Sequence, residues 1–179
     1  MKHTNSFLVV ILLPLFALGQ SKPIPGKIIS EYGKTYQVQA PDFKTDIHSD
    51  LKAVFDIGRS FNDSTKVNPL INTAARYLNM HTESGVPFKN LKVALVIHGS
   101  AAFDILNNQM YKKKYGIDNP NAPLIKALSE KGVQIILCGQ TAAYRKIIKK
   151  DVLPEIQFAL SAMTALVQLQ NNNYRLINF

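Results

Sequence analysis

The chain has 179 residues, room for one domain of ordinary size, and a composition of 46% hydrophobic and 18% charged residues, which excludes a mostly disordered chain. A formal charge of +9 admits nucleic acid, an anionic membrane surface or anionic substrates as partners. The lysines are spread out, with small clusters at Lys112 to Lys114 and Lys146 to Lys150. No helix-turn-helix, zinc-finger or RNP-type aromatic motif accompanies them, so no nucleic-acid partner is expected.

In chain order, residues 1–19 read as a cleaved secretory signal. Lys2 and His3 form a basic start, Phe7 to Leu18 is apolar apart from Pro14, and Ala17-Leu18-Gly19 is a small-x-small cleavage pattern. The apolar run falls short of the roughly 20 residues a spanning helix needs, so export to a bacterial periplasm is expected, with no stable membrane insertion. No cysteine follows the apolar run, so a lipobox anchor is not expected. Residues 20–47 carry Pro23, Pro25 and Pro41 and read as an N-terminal arm, with Lys27–Glu31 and Thr35–Val38 able to pair as a hairpin across Gly33.

Residues 48–179 read as one α/β domain. Leu51–Ile57 is the first core strand. Val67, Leu70, Ile71, Ala74 and Leu78 form the apolar stripe of a helix ending near Thr82. Leu91–Ile97, almost continuously apolar, is a strand covered on both faces, with His98 and Gly99 at its exit. Ser100 is placed to cap a short helix reaching about Asn108, and 109–119 reads as an exposed loop. Asn121-Ala122-Pro123 opens a helix that Gly132 ends. Val133–Cys138 is the third strand. A helix follows from Thr141, with Ala143, Tyr144, Ile147 and Ile148 as its apolar side and Lys149 and Lys150 at its C-terminal dipole. Ile156 and Phe158 give a short strand, Ala159 to Val167 a helix, and Tyr174–Phe179 the last strand. Alternation of strand and helix predicts a parallel sheet with helices on both faces.

The chain has one cysteine, Cys138, at the carboxyl end of a strand and just ahead of a helix start. Reactive groups and ligands collect there in open α/β sheets, and unpaired helix N–H groups would favour a thiolate. The alternative is a buried cysteine acting as a small hydrophobe. His98 exits what would be a neighbouring strand and is a candidate base or positive neighbour for that thiol. Gly99, Gly139, Gln140 and Thr141 are candidates for anion or substrate binding through backbone N–H groups; for Thr141, capping the helix is the structural alternative. His48 and His81 have no ligand partners at metal spacing. There is no Gly-rich nucleotide loop and no Gly-x-Ser-x-Gly elbow, so neither a metal nor another cofactor is expected.

Three motifs in order, Lys92 to Gly99, Asn119-Pro120-Asn121 leading into Leu124, Ile125 and Leu128, and Val133 to Thr141 with its Cys-Gly-Gln-Thr, together with the closing helix and Tyr174, resemble the DsrE/DsrF-like family of sulfur-relay proteins over about residues 48–179. The resemblance implies a three-layer α/β sandwich with a roughly five-stranded, mainly parallel sheet, and assembly into homo-oligomers, often trimers or hexamers. It also implies that a cysteine matching Cys138 carries sulfur as a persulfide, between a thiol or persulfide donor and an acceptor. The well-understood members are cytoplasmic, and an exported chain departs from them. The expectation is therefore a sulfur carrier, or sulfurtransferase-like protein, with Cys138 and His98 at its centre. The competing expectation is a non-catalytic oligomeric binding module of the same fold.

Overall fold

The computed structural model describes residues 22–179; the expected secretory signal lies outside the described residues. Five strands, β1 (Leu51–Ile57), β2 (Leu91–Ile97), β3 (Gln134–Cys138), β4 (Gln157–Ala159) and β5 (Arg175–Asn178), form one sheet in the order β4-β3-β2-β1-β5. Every pairing is parallel. The helices are α1 (Pro69–Glu83), α2 (Asn108–Tyr115), α3 (Ala122–Glu130), α4 (Gly139–Tyr144) and α5 (Ala162–Asn171). None is long and apolar enough to cross a membrane.

Side chains alternate across each strand, so each strand feeds two cores. Phe55, Ile57, Leu95, Ile97, Ile135 and Leu137 meet Ile71, Ala74 and Leu78 of α1 and Leu124, Ile125 and Leu128 of α3. On the other face Val54, Ala94, Val96 and Ile136 meet Ala165 and Leu169 of α5 and Tyr174. Each of these large side chains, fully buried, contributes roughly 1.5–3 kcal/mol before entropy is counted. One helix covers the second face and then delivers β5 to the open side of β1. The arm adds to the first face. Its single isolated bridge, Ile24 to Thr35, replaces the expected hairpin. Asn79, fully buried on α1, holds it instead: Oδ1 accepts the N–H groups of Ile28 (3.2 Å) and Ile29 (2.9 Å), and Nδ2 donates to the carbonyls of Ile29, Tyr32 and Gly33.

Four local expectations are corrected. The exposed loop over 109–119 is largely α2, because Asn107 caps it (Met110 N–H to Oδ1, 2.9 Å) and Gly116 closes it at φ 81°. Tyr111 is buried there with its hydroxyl on the Ser64 carbonyl, and the lysine triplet hides this anchor from an apolar-periodicity reading. The helix after β2 is a 3-10 turn, Gly99–Phe103, and Ser100 accepts the Ser60 N–H rather than capping it. Asn121 sits at the cap position of α3, but its Oδ1 takes the Asn68 N–H (2.7 Å), tying the starts of α1 and α3 together. The helix after β3 stops at Tyr144, since Lys146 turns left-handed (φ 56°). Tyr144 and Ile148 point to solvent, and Lys149 and Lys150 lie in a separate 3-10 turn.

The loops at the carboxyl edge of the sheet are braced by a buried carboxylate. Asp104 Oδ2 accepts from Ser60 Oγ (2.8 Å) and Asn68 Nδ2 (2.6 Å). Burial raises its pKa above the ordinary 3.8, and the two hydrogen bonds oppose this only in part. The folded state therefore holds the proton more tightly than the unfolded chain. The associated stability is complete below the ordinary value and is lost as pH rises through the folded one. Asp104→Asn does not titrate, so its stability relative to wild type is expected to improve as pH is raised across that interval, read by urea denaturation at a series of pH values. Asn79→Ala strips partners from several buried backbone groups and is expected to cost about 3 kcal/mol, with cleavage by a protease at residues 22–47 well before the core is cut.

Candidate functional site

The connections leaving β1, β2 and β3 pass over the face of α1 and α3, and the connection leaving β4 passes over the opposite face as α5. The sheet therefore has its switch point between the carboxyl ends of β3 and β4, where open α/β sheets form a crevice. Cys138, the last residue of β3, stands at that point, level with Ala159 of β4. Gly139 follows because nothing larger fits: a Cβ there would lie 2.5 Å from the Ala159 carbonyl oxygen.

Cys138, not Thr141, is the N-cap of α4; its Sγ accepts the Thr141 N–H at 3.4 Å. The residue is 5% exposed, yet it belongs to neither apolar cluster. Burial pushes its thiol pKa up, but the Thr141 N–H and hydroxyl and the N–H groups of Ala162 and Gln140 push it down and prevail. Two of these N–H groups come from the start of α4 and one from the start of α5, on opposite sides of the switch point. The thiol therefore ionises below the ordinary cysteine range. Gly99, left-handed at φ 54°, donates its N–H to Thr141 Oγ1 (3.3 Å), which leaves the hydroxyl proton free for the sulfur.

The other sequence candidates fall around this thiol in different ways. Thr141 contacts the sulfur directly, and Gln140 contributes its N–H while its side-chain amide reaches the Leu160 carbonyl (3.4 Å). Gly139 is pressed under the end of β4, and Gly99 acts through Thr141. The Thr141 N–H bonds the cysteine's own sulfur, and those of Gln140 and Ala162 lower its pKa. His98 leaves β2 level with Cys138, but its imidazole turns toward β1, where Nε2 lies 2.9 Å from Asp56 Oδ1. No hydrogen bond joins His98 to Cys138 among the described residues. Asp56 and the Ala162 N–H were not among the sequence candidates. A lone acid as the penultimate residue of a mainly apolar strand is a signal for the first; nothing local marks the second. A cleft of about 660 Å³ lies elsewhere, between the arm and the end of α1, lined by Tyr36, Val38, Phe43, Met80 and His81 among others.

An all-parallel α/β sandwich with a solitary, hydrogen-bonded thiol at its switch point defines the class. The model of the DsrE/DsrF-like family matches residues 52–179, and the chain belongs to that family. No curated protein matches the sequence. Among solved structures, the protein of unknown function MTH1491 from Methanobacterium thermoautotrophicum is similar, with 19% identity and a TM-score of 0.55 over 73% of this chain and all of that one. The ychN protein from E. coli is similar with 17% identity and a TM-score of 0.53 over 72% of this chain and 99% of that one. At these identities the likeness is one of fold.

Thr141→Val keeps the backbone donor and removes the hydroxyl. The pH at which Cys138 titrates, followed by thiolate absorbance, is expected to rise. Because the folded value is depressed, the thiolate stabilises the fold fully above the unfolded cysteine pKa, and this is lost as pH falls through the folded value. The variant is therefore expected to show a narrower window of that stabilisation, read by denaturation across the same pH range.

Proposed function

We propose that this chain is a sulfur carrier in which Cys138 accepts, holds and passes on sulfane sulfur. The Cys138 thiolate attacks the terminal sulfur of a persulfide or polysulfide. A new S–S bond forms as the donor's S–S bond breaks, and the electron pair leaves with the donor as its thiolate or shortened polysulfide anion. The outer sulfur stays on Cys138 as a persulfide until an acceptor thiol takes it. The supporting observation is the Thr141 N–H on Sγ at the start of α4, with a thiol pKa held below its ordinary value, since a carrier needs a sulfur that is ionised when empty and a good leaving group when discharged. In this proposal the N–H groups of Gln140 and Thr141, at the start of α4, serve a persulfide's charge as well. His98, at the same sheet edge, is the group available to handle protons. On the reading of residues 1–19, the carrier works outside the cytoplasm, in a bacterial periplasm.

DsrE/DsrF-like proteins are often oligomeric, and Leu160, Met163 and Val167 leave exposed apolar surface at and just before α5 for such an assembly. A trimer or hexamer belongs to the proposal. The slight exposure of Cys138 favours a second reading, an oligomeric binding module that keeps the fold without the relay. Incubation with polysulfide separates the two. The carrier is expected to gain the mass of one sulfur atom on Cys138, reversed by reductant and abolished in Cys138→Ser. An intact oligomer that gains no such mass would overturn the carrier reading in favour of the module.

A further inference from the structure

The His98–Asp56 pair has no part in ionising Cys138. Val54, Ala94, Val96 and Ile136 share one cluster beneath α5, so by alternation Asp56, His98 and Cys138 lie on that same face. The registers Ile57 to Ile97 and Ile97 to Leu137 bring Gly58, His98 and Cys138 to one level at the carboxyl edge. His98 and Cys138 thus stand side by side on adjacent strands, one strand spacing of about 4.8 Å apart, and Asp56 lies level with Val96, two residues back from the edge and diagonal to His98. Asp56 is the only acid in β1. Its Oδ1 accepts the Nε2–H of His98 at 2.9 Å, which leaves Nδ1 as the basic nitrogen. Nδ1 has no hydrogen-bond partner among the described residues and is not a buried polar atom, so it opens to solvent. Gly58 makes room for the ring, because a Cβ there would lie 2.7 Å from His98 Cε1.

Cys138 has its own donors and needs no base. The thiol that does need one is the acceptor's, which arrives protonated at neutral pH. Resting on the carrier reading above, we infer that His98 is the base that deprotonates the acceptor thiol and that Asp56 is the positioning residue that fixes its tautomer and aim. In the step, His98 Nδ1 takes the acceptor's S–H proton. The acceptor sulfur bonds to the outer sulfur of the Cys138 persulfide as the Cys138 S–S bond breaks. The pair returns to Cys138 Sγ as thiolate, the acceptor leaves as a persulfide, and the proton ends on the imidazole. No external oxidant or reductant enters.

The test loads Cys138 with polysulfide to the one-sulfur adduct, then follows by mass spectrometry its single-turnover return to the free thiol. Two acceptors are compared: 2-mercaptoethanol, largely protonated at neutral pH, and thionitrobenzoate, already a thiolate. His98→Gln is expected to slow discharge to 2-mercaptoethanol about 100-fold and Asp56→Asn about tenfold, while discharge to thionitrobenzoate stays near the wild-type rate because no proton must be removed. Equal slowing with both acceptors would make the pair merely structural and overturn the inference, as would no slowing with either. Failure of the wild-type chain to load at all would instead sink the carrier reading on which this one rests. Circular dichroism of each variant confirms that the fold is intact.

Discussion

The structure turns on the change of side that the chain makes between β3 and β4. Up to β3 every connection crosses the face of α1 and α3; after β4 the chain crosses the other face as α5. Two helix starts are thereby brought to opposite sides of one strand end, each with N–H groups that have no partner within their own helix. A sulfur atom placed there accepts the Thr141 N–H of α4, and the Ala162 N–H at the start of α5 helps lower its pKa. Burial alone would make Cys138 a poor acid, and it is the number of donors that reverses the balance.

The same edge is kept rigid by side chains that serve backbone rather than substrate. Asn68, Asn119, Asn121, Ser60 and Asp104 are linked by hydrogen bonds that join the loop after β1, the start of α1 and the start of α3. Asparagine is suited to this because its amide both donates and accepts in one plane. Neutral donors around Asp104 keep the loops in place without a buried ion pair, whose desolvation would be hard to recover. The thiol stands on a frame whose polar groups are already committed, which leaves the strand ends and helix starts to set its chemistry.

Much of the fold was legible in the sequence, since long apolar runs at strand length and a clear helical stripe survive any context. β1 and β2 have the expected limits, and β3 differs by one residue. What was hidden was short-range geometry decided by distant partners. α2 rests on one buried tyrosine among lysines, the early end of α4 on a left-handed lysine, and the arm on two side-chain amides of α1, Asn72 and Asn79. The site divided in the same way. A thiol at a strand exit can be read from residue order, and so can a histidine beside it. That the imidazole leans toward Asp56, and that α5 reaches back to the sulfur, depends on strand order and register, which no local pattern encodes.

Among the described residues one helix roofs the second face of the sheet, and the N–H of its first residue helps lower the thiol pKa. The electrostatic state of the sulfur is therefore mechanically coupled to how firmly that roof is seated. A molecule pressing on the outward side chains Met163 and Val167 would bear on α5 without touching Cys138. Tightening or loosening the helix by a fraction of an ångström changes how much negative charge the sulfur can hold. The fold thus gives a neighbour on the outside a lever on the thiol within.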